Sequence, residues 1–581
     1  MAQAAPASAT VFRPPRRVRL SAQQLLPVAI ALLVAYLTLL PFIFLLYGSF
    51  FTPTVGGQAG VFTLQNYVRA YTDRSALPVA ANSIVFAVGT MALAFAIGTM
   101  LAWITERTNT PLRGMFFAVS LIPLIIPGIL FTLSWIFLLS PRIGMINQWL
   151  MGLLGLGGPP FDVYSMGGMI WVEGLHWSPI VYLLMSAAFR SMDPALEEAA
   201  LMSGSSVLQT FARITLRLNV PTIIGVCLLM FLRGLETFEV PAIIGIPAGI
   251  HVFTSKIYLA VKAYPSDFGL AGAYSTNLLL LTLGGVYLYG RVTREASRYA
   301  TVTGKGFRPR VIDLGPWRYL ATALIIAYLS VMVALPLFVL LWNSVLPFYI
   351  KPSLQALSML TLENYTFLFG LPKTTRALIN SLVLSLGSAT IVMFATSIIA
   401  WITVRTKLRG RWVLDNLASL PLIFPGIVMG VALIWVYLTL PIPIYGTIWI
   451  LLVAYVTRYL PYGMRTASSS LVQIHRELEE AAEISGASWW RTFVRIVLPL
   501  LRPGLLAGWI YIVIVSIREL SSSILLWGPG AEVLSIYIFD LWNTGHPQEL
   551  SALGLMMVGF LFLLALISRR LSQRYGLRHE A

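Results

Sequence analysis

The sequence has little charge and almost no cysteine. Charged residues make up only 11% of its 581 residues and hydrophobic residues 57%, whereas roughly a quarter of the residues in an average soluble domain are charged. Its single cysteine, Cys227, excludes an internal disulfide and any metal site built on several cysteines. A chain with so few charges lacks the polar surface of a soluble protein, and its composition favours a lipid bilayer as the solvent.

A nucleotide-binding loop and an enzyme active site are also missing. The stretch GKGFRPR contains Gly304-Lys305, but no glycine stands five positions before Gly304, so the pair is not a phosphate-binding P-loop. No other Walker-type segment occurs, and we expect no ATP hydrolysis by this chain alone. The five histidines are scattered and no facing pair of carboxylates is evident. We therefore expect a protein that is not an enzyme, with no catalytic residue, no resident metal and no cofactor of its own.

Long apolar runs divide the chain into candidate membrane spans. About twenty helical residues cross the hydrocarbon core of a bilayer, and about twelve runs approach or exceed this length, six in each half. The sequence therefore predicts an all-α membrane protein. In the first half the runs cover about 25–50, 79–104, 115–140, 169–190, 220–247 and 268–290. In the second half they cover about 318–344, 376–403, 413–440, 443–467, 500–527 and 549–568.

Basic residues produce a formal net charge of +17, and many of them are grouped just outside particular spans. If both termini are cytoplasmic, every such group lies on the cytoplasmic side, as the positive-inside rule requires. The basic charge is then a signal of orientation, and we expect no nucleic-acid partner. The groups are Arg13, Arg16, Arg17 and Arg19; Arg107 and Arg113; Arg291, Arg294, Arg298, Lys305, Arg308 and Arg310; Arg405, Lys407, Arg409 and Arg411; and Arg569, Arg570 and Arg574.

The two halves repeat the same phrases at a fixed spacing, which is typical of a duplicated unit. FTLQNY (62–67) returns as LTLENY (360–365), and AWITERT (102–108) returns as AWITVRT (400–406), both 298 residues later. Both halves have six predicted spans and begin on the same side, so the repeats are parallel. The predicted organisation is a cytoplasmic tail (1–24), a six-span domain (25–290), a cytoplasmic linker (291–317), a second six-span domain (318–571) and a cytoplasmic tail (572–581).

An acidic, helix-forming phrase is also repeated, as EEAALMSGSS (197–206) and EEAAEISGAS (479–488), but at an offset of 282. The first half therefore carries sixteen extra residues, and the segment 141–168 is expected to hold them as an external loop or a short re-entrant element. Each phrase predicts a short helix that ends at a glycine, followed by a second helix that enters the next span. The two loops cover about 193–217 and 475–499, on the cytoplasmic side.

The residue spacing within these loops is specific. In each loop a Glu-Ala-Ala triplet is followed by glycine six positions after the glutamate, then by isoleucine ten positions later and leucine two positions after that. The chain resembles the permeases of binding-protein-dependent ABC importers, whose EAA loop has this pattern. The resemblance covers about 78–292 and 376–571. The first loop departs from the family pattern at Arg217, where the family has proline.

The resemblance implies a fold and a set of partners. It implies the type I ABC importer fold, with two permease domains fused in one chain of a bacterial inner (plasma) membrane. In the family the EAA loop is a coupling helix that sits in a groove of the ATPase subunit. Two loops thus imply two copies of a cytoplasmic ATPase, which hold ATP and Mg, and a periplasmic substrate-binding protein on the outer face. The residues assigned to ATPase coupling are Glu198, Ala199, Ala200, Gly204, Glu480, Ala481, Ala482 and Gly486.

Charged residues inside spans are costly, at roughly 2.5–3.5 kcal/mol each, and they suggest function. Arg233, Glu236 and Glu239 recur at every third residue in the fifth span of the first half, and Arg518 and Glu519 lie in the corresponding span of the second half. Two interpretations remain open. These side chains either line or gate the translocation path, with carboxylates offered to a hard cation, or form ion pairs that fasten the halves together.

Prolines and two further ionisable residues give weaker signals. LIPLIIPGIL (121–130) returns as SLPLIFPGIV (419–428). Pro127 and Pro425, each followed by glycine, are expected to kink a helix that lines the path, or only to adjust its packing. Glu173 and His176 fall close to a span, where a position at the outer interface is expected and metal ligation is an alternative.

Within the family, PLIxPG in each half, the TGKGFRPR linker and RELSSSILL near the end look like the ferric-iron importer class. The expected cargo is ferric iron. Thiamine, phosphonates, sugar phosphates and polyamines are the alternatives, because the binding protein mainly selects the substrate in such systems. A twelve-span secondary transporter is the rival from another class, but it would need an ion-coupling site and no ATPase-binding loop.

Overall fold

The computed structural model describes residues 22–52, 60–120, 122–192, 195–296, 311–406 and 410–574. Several predicted features lie wholly or partly outside these ranges. They are most of the N-terminal tail, the centre of the linker, the first two residues of the first EAA loop, the end of the C-terminal tail, and the basic residues Arg13, Arg16, Arg17, Arg19, Arg298, Lys305, Arg308, Arg310, Lys407 and Arg409.

The first half is built from thirteen α-helices in the described ranges. They are α1 (Ala22–Ser49), α2 (Gln65–Thr72), α3 (Ala76–Arg107), α4 (Arg113–Val119), α5 (Gly128–Leu139), α6 (Met145–Leu154), α7 (Met166–Arg190), α8 (Ala195–Met202), α9 (Val207–Thr210), α10 (Leu216–Leu218), α11 (Val220–Glu236), α12 (Phe253–Lys262) and α13 (Phe268–Ala296).

The second half repeats this order with few changes. Its helices are α14 (Trp317–Leu329), α15 (Leu335–Ser344), α16 (Leu354–Leu357), α17 (Glu363–Gly370), α18 (Pro372–Arg405), α19 (Arg411–Ser419), α20 (Gly426–Thr439), α21 (Ile448–Val472), α22 (Glu477–Ile484), α23 (Trp489–Thr492), α24 (Leu498–Ile517), α25 (Ser523–Leu526), α26 (Leu534–Asn543) and α27 (Pro547–Arg574).

The prediction of an all-α membrane protein with two parallel repeats is confirmed. Across the described residues, β structure is limited to three isolated bridges. Long helices α3 and α18 occupy equivalent positions in the two repeats. Helices α7 and α21 follow them in the same order and are each 25 residues long. The segment 141–168 contributes α6, whose side chains Trp149 and Leu153 are exposed beside the end of α5.

Not every predicted span is a straight, uniformly apolar helix. In the described part of the chain, seven helices are long and apolar enough to cross a membrane, and up to nine spans result if each sharply bent pair counts as one. Helices α7 and α21 have the length of a span but carry ionisable side chains at their centres. Polar groups at this depth are tolerated where they face the protein interior.

Two predicted proline kinks are complete breaks in the helix. Pro127 and Pro425 have extended ψ angles of 141° and 144° and immediately precede α5 and α20. In the second half, the segments on either side of the break, Arg411–Ile423 and Gly426–Thr439, differ in direction by 110°. The expectation of a kink was therefore too mild, because an extended residue at the start of a new helix ends the hydrogen-bond ladder of the old one.

The two halves share one interior. Helix α1 of the first half packs against α20 of the second, and α15 of the second half packs against α5 of the first. A single cluster of buried apolar side chains includes residues from both halves, such as Phe131 and Tyr455. The fused repeats therefore form one membrane body rather than two separate bundles.

The end of the linker is tied to the C-terminal end of α3. Ile312 donates its N–H to the Arg107 carbonyl at 2.8 Å and accepts the Asn109 N–H at 3.1 Å. Hydrogen bonds from the Gly315 N–H and the Asn109 amide lower the pKa of Asp313. These contacts hold the start of the second half beside the end of the second span of the first.

Helices α3 and α7 approach closely at a glycine, which gives a test of the packing. A Cβ on Gly98 would lie 2.6 Å from Val181 Cβ and 2.8 Å from the Ser178 carbonyl oxygen. Replacing Gly98 with leucine should destabilise the protein by about 1–3 kcal/mol, because the neighbouring backbone cannot move aside. Thermal unfolding in detergent measures the effect. Gly284→Leu in α13 is the control, since nothing lies within 4 Å of its Cβ position, and equal melting temperatures of the two variants would contradict this packing.

Candidate functional site

Each EAA loop folds as a short helix, a turn and a second helix. The first helices are α8 and α22. They follow α7 and α21 in the chain and, at eight residues each, are too short to cross a membrane. Gly204 and Gly486 follow them with φ angles of +87° and +79°. This left-handed conformation favours glycine. A Cβ at either glycine would meet nothing within 4 Å, so the turns are open on that side.

The predicted coupling residues lie on the surface of these helices to different degrees. Glu480 is exposed and forms an ion pair of 3.1 Å with Arg476, one helical turn earlier. Glu198 is half-buried. Of the alanines, Ala199 and Ala481 are exposed, Ala200 is half-buried and Ala482 is buried. The exposed glutamate and alanines form a small surface with little side-chain bulk, which allows close approach of a partner.

A π-helical segment connects each loop to the fifth span of its half. The segments are Phe211–Thr215 and Phe493–Val497, at the same 282-residue offset as the loops themselves. They continue into α10 and α11 in the first half and directly into α24 in the second. A short π-helical segment within an α-helix is frequently found at functional sites.

The charged residues predicted inside the spans converge on one central cavity of about 190 Å³. Its wall comes from the start of α5, from α7, α11, α21 and α24, and from the segments that follow α11 and α24, so both halves contribute. The ionisable groups in the wall are Glu173, His176, Arg233, Glu236, Glu239, Arg458, Arg518 and Glu519, together with Tyr459, Tyr462 and Tyr511.

Arg233 makes contacts within its own helix and with the other half. Its guanidinium lies 3.1 Å from the Glu236 carboxylate and donates a hydrogen bond of 3.1 Å to the Tyr462 hydroxyl on α21. Its guanidinium carbon also lies 5.6 Å from the ring centre of Trp177 on α7. One arginine therefore connects three of the helices that surround the cavity.

Glu519 is held on several sides. Arg458 Nε lies 3.2 Å from one carboxylate oxygen, to which the Tyr459 hydroxyl also donates at 3.2 Å. The other oxygen accepts the backbone N–H of Ser522 at 3.0 Å and its hydroxyl at 3.1 Å. The neighbouring Arg518 donates to the Leu124 carbonyl oxygen of the first half. These ion-pair and hydrogen-bond contacts hold Glu519 and Arg518 in fixed positions.

Glu239 differs from Glu236 and Glu519 in its surroundings. Among the described residues, no arginine or lysine lies within 4.0 Å of its carboxylate. A Cβ built on Gly128 would lie 3.7 Å from the Glu239 carboxyl carbon and 3.6 Å from His176 Nε2, so both groups face the same small space. Glu239 is therefore a cavity carboxylate that is not committed to an ion pair.

Glu173 and His176 are not at the outer interface, where the sequence analysis expected them. Both are buried in the middle of α7 and line the cavity. Glu173 accepts hydrogen bonds of 2.6 Å from Trp177 Nε1 and from the Thr237 hydroxyl, which satisfy its carboxylate inside the protein. Within the described part of the chain, no group of three or more histidine, cysteine, aspartate or glutamate side chains is placed to hold a metal ion.

The cavity also contains residues that the sequence analysis missed, and it omits two that were predicted. Arg458 carries the same signal as Arg233, a charge inside an apolar run, and could have been found by it. The three tyrosines gave no such signal, because tyrosine is common in membrane helices. Pro127 and Pro425 do not line the cavity, although Gly128 does.

The first glutamate of each EE pair was missed as well. Glu197 and Glu479 are buried, and they lie in ionic contact with Arg107 at 3.3 Å and Arg405 at 2.9 Å. No periodicity separates these residues from their neighbours Glu198, which is half-buried, and Glu480, which is exposed. The partner arginines lie 90 and 74 residues away in the sequence, beyond the reach of local patterns.

Residues 94–294 and 394–577 each match the protein family described as "Binding-protein-dependent transport system inner membrane component". The chain belongs to this family. The two matches cover more than half of the sequence and correspond to its two repeats. The protein is thus a permease component of an ABC importer, embedded in the inner membrane as a multi-pass protein.

Several curated relatives are similar to this permease. It is 27% identical over 511 residues to "Putative ferric transport system permease protein FbpB 1" of Haemophilus influenzae, a match that covers 87% of this chain and 77% of the relative. It is 27% identical over 442 residues to "Ferric transport system permease protein FbpB" of Actinobacillus pleuropneumoniae, covering 76% and 63%. A shorter match, 29% over 210 residues and covering 36% and 81%, is to "Spermidine/putrescine transport system permease protein PotC" of Haemophilus influenzae.

Solved structures give a partial match. A chain of a bacterial ABC transporter involved in the import of the acidic polysaccharide alginate is 19% identical, with a TM-score of 0.38. The match covers 48% of this permease and 94% of that chain.

Proposed function

We propose that this permease imports ferric iron, driven by two copies of a cytoplasmic ATPase that bind to α8 and α22. The duplicated loop carries the proposal. Each half presents one short helix, a left-handed glycine turn and a second helical segment that leads into a helix of the cavity wall. In the first half this segment meets α11 at a bend of 74°. A transporter that runs on an ion gradient has no use for two such loops.

The proposed topology places both termini and both EAA loops in the cytoplasm. The positive-inside rule supports this orientation, because the basic groups then lie on the cytoplasmic side. A periplasmic binding protein would deliver cargo to the opposite face. ATP and Mg would be held by the ATPase subunits, and this chain would supply the path and the coupling surfaces.

The chemistry of the cavity supports a cationic cargo. Hard cations prefer oxygen ligands, and the wall offers four glutamates and three tyrosines beside three arginines. Arg233 and Arg458 are paired with Glu236 and Glu519, whereas Glu239 has no arginine or lysine within 4.0 Å among the described residues.

In this proposal Glu239, beside His176, meets the cargo, whereas the contacts of Arg233 with Tyr462 and of Arg518 with Leu124 fasten the halves. The Arg458–Glu519 pair holds two segments of the second half together. Both interpretations of the intramembrane charges then apply, each to different residues.

Two observations point to the cargo itself. The relatives that match over most of the chain are named for ferric transport, which favours ferric iron. The spermidine/putrescine relative makes a polyamine the second candidate, and a polyamine is also a cation that carboxylates would hold. Thiamine, phosphonates and sugar phosphates remain as further alternatives from the sequence. The glutamates of the wall would also suit the thiamine cation, and its three arginines would suit a phosphonate or phosphate group.

Uptake of radiolabelled ferric iron by the native bacterium tests the proposal. A strain lacking this chain is compared with the same strain carrying it, with excess unlabelled spermidine as competitor. We expect uptake that requires the chain and resists spermidine. Uptake of iron that ignores the chain would reject ferric iron as cargo, and uptake of labelled spermidine that requires the chain would identify a polyamine permease.

A further inference from the structure

One arginine in each half stands where the coupling helix meets the membrane helices. Arg107 and Arg405 are the last residues of α3 and α18, at equivalent places in the repeat. Arg107 is fully buried and Arg405 nearly so, and their side chains point away from solvent into the junction below the EAA loop. An arginine side chain is rarely buried unless it is paired with groups that accept its hydrogen bonds or balance its charge.

The two arginines hold equivalent groups. Arg107 donates to the carbonyl oxygens of Phe189 at 2.7 Å and Met192 at 3.3 Å, at the end of α7. Arg405 donates to the carbonyl oxygens of Leu471 at 2.9 Å and of Ile474, at the end of α21. These acceptors lie at the C-terminal ends of helices, where the last carbonyls lack the N–H donor of a following helical turn and the helix carries partial negative charge. A guanidinium fork suits several such acceptors at once.

Each arginine also contacts the coupling helix through its buried glutamate. The distances are 3.3 Å from Arg107 Nη1 to Glu197 and 2.9 Å from Arg405 Nε to Glu479. They are ionic contacts rather than aligned hydrogen bonds. The carboxylate lies in the first turn of α8 or α22, where the helix dipole favours a negative charge.

The same carboxylates are linked to the second helical segment of each loop, through a direct hydrogen bond in the first half and through a tryptophan in the second. The Thr215 hydroxyl, in the π segment before α11, donates to Glu197 at 2.5 Å. In the second half Trp401 donates to Glu479 at 2.8 Å, and its ring stacks on Trp489 at 4.1 Å, in the second helix of the loop. The halves thus build the same connection from different residues.

We propose that Arg107 and Arg405 are positioning residues that make each coupling helix move as one body with the ends of three membrane helices. The inference rests on the proposed binding of an ATPase to α8 and α22. In each half the arginine joins the end of the second span, the end of the fourth span and the coupling helix. The segment that leads into the fifth span is added by the Glu197–Thr215 contact in the first half and, in the second, by Trp401, which contacts both Glu479 and Trp489. The fourth and fifth spans carry the cavity residues, so a displacement of the coupling helix reaches the cavity wall.

The test measures this movement without needing the cargo. With Cys227 replaced by alanine, spin labels are placed at Gly167→Cys and Trp449→Cys, equivalent exposed positions at the outer ends of α7 and α21. The complex with its ATPase is reconstituted in lipid, and the distance between the labels is measured without nucleotide and after trapping with ATP and vanadate. Arg107→Lys with Arg405→Lys keeps both charges but loses the fork that holds the carbonyls.

We expect the lysine pair to bind the ATPase and trap nucleotide, while the change in label distance is lost. The matched control is Arg213→Lys with Arg495→Lys, exposed arginines at equivalent positions of the same loops, which should move as the unmodified chain does. If the lysine pair does not assemble, Glu197→Gln with Glu479→Gln makes the same comparison with little change of shape.

The outcomes separate this inference from the proposed function. A variant complex that melts at a lower temperature but shows the full change in label distance would overturn the inference and leave Arg107 and Arg405 with a merely structural role. An unmodified chain that does not bind an ATPase would overturn both. Loss of movement in an assembled variant complex would support both.

Discussion

Replacing Glu198 and Glu480 together with alanine should lower ATP-dependent transport at least about tenfold, because a hydrogen bond to a charged group contributes about 1.5–3 kcal/mol. Each glutamate follows a buried one in the first turn of a coupling helix, and Glu480 is exposed on its surface. Each single variant keeps one intact coupling helix, so we expect a smaller loss from either change alone. Uptake by cells and co-purification of the ATPase measure the effect.

The effect should come from the partner surface and not from the stability of the permease. The Glu480–Arg476 ion pair is exposed on both sides, and such pairs contribute about 0.3–0.5 kcal/mol within a helix. Glu477→Ala is the control, since Glu477 lies exposed in the same turn as Glu480. Transport at the unmodified level by the double variant would reject ATPase coupling through these two residues.

Replacement by glutamine should have different effects at two of the cavity glutamates: loss of stability at Glu519 and loss of uptake at Glu239. Glu519→Gln removes the charge that Arg458 meets at 3.2 Å and leaves that arginine inside the protein without its counter-ion. Loss of one partner of a buried pair costs about 3 kcal/mol. We therefore expect a lower melting temperature in detergent and little correctly assembled protein in the membrane.

Glu239→Gln removes a carboxylate that has no arginine or lysine partner among the described residues. The melting temperature should stay near that of the unmodified chain, whereas ferric uptake should fall about tenfold or more if this oxygen ligand meets the cation. Each variant is the control for the other. A stable, fully active Glu239→Gln variant would show that this carboxylate is not part of the path.

The sequence was sufficient for the architecture because the signals that set it are local or periodic. Apolar length indicates spans, the 298-residue offset indicates duplication, and an acidic helix ended by glycine predicts the turns found at Gly204 and Gly486. The same reasoning found most of the charges around the cavity, though not Arg458, since a charge inside an apolar run is costly wherever it occurs.

Partners across long stretches of sequence could not be predicted in the same way. The contact of Arg233 with Tyr462 joins residues 229 positions apart, and that of Arg107 with Glu197 depends on where α3 and α7 end in space. The choice between the two adjacent glutamates of an EE pair depends on burial, which two neighbouring helical positions do not reveal. The position of Glu173 was wrong for a related reason: hydrogen bonds from Trp177 and Thr237 satisfy a carboxylate that sequence alone would place near water.

The mass of the complex released from the native membrane in mild detergent tests the central claim most directly. The two coupling helices, α8 and α22, predict a complex of one permease chain and two ATPase subunits. Native mass spectrometry measures this mass. The double variant Glu198→Ala, Glu480→Ala should lose both subunits under the same conditions. A permease chain that carries one ATPase subunit, or none, while it still transports its cargo would contradict the account.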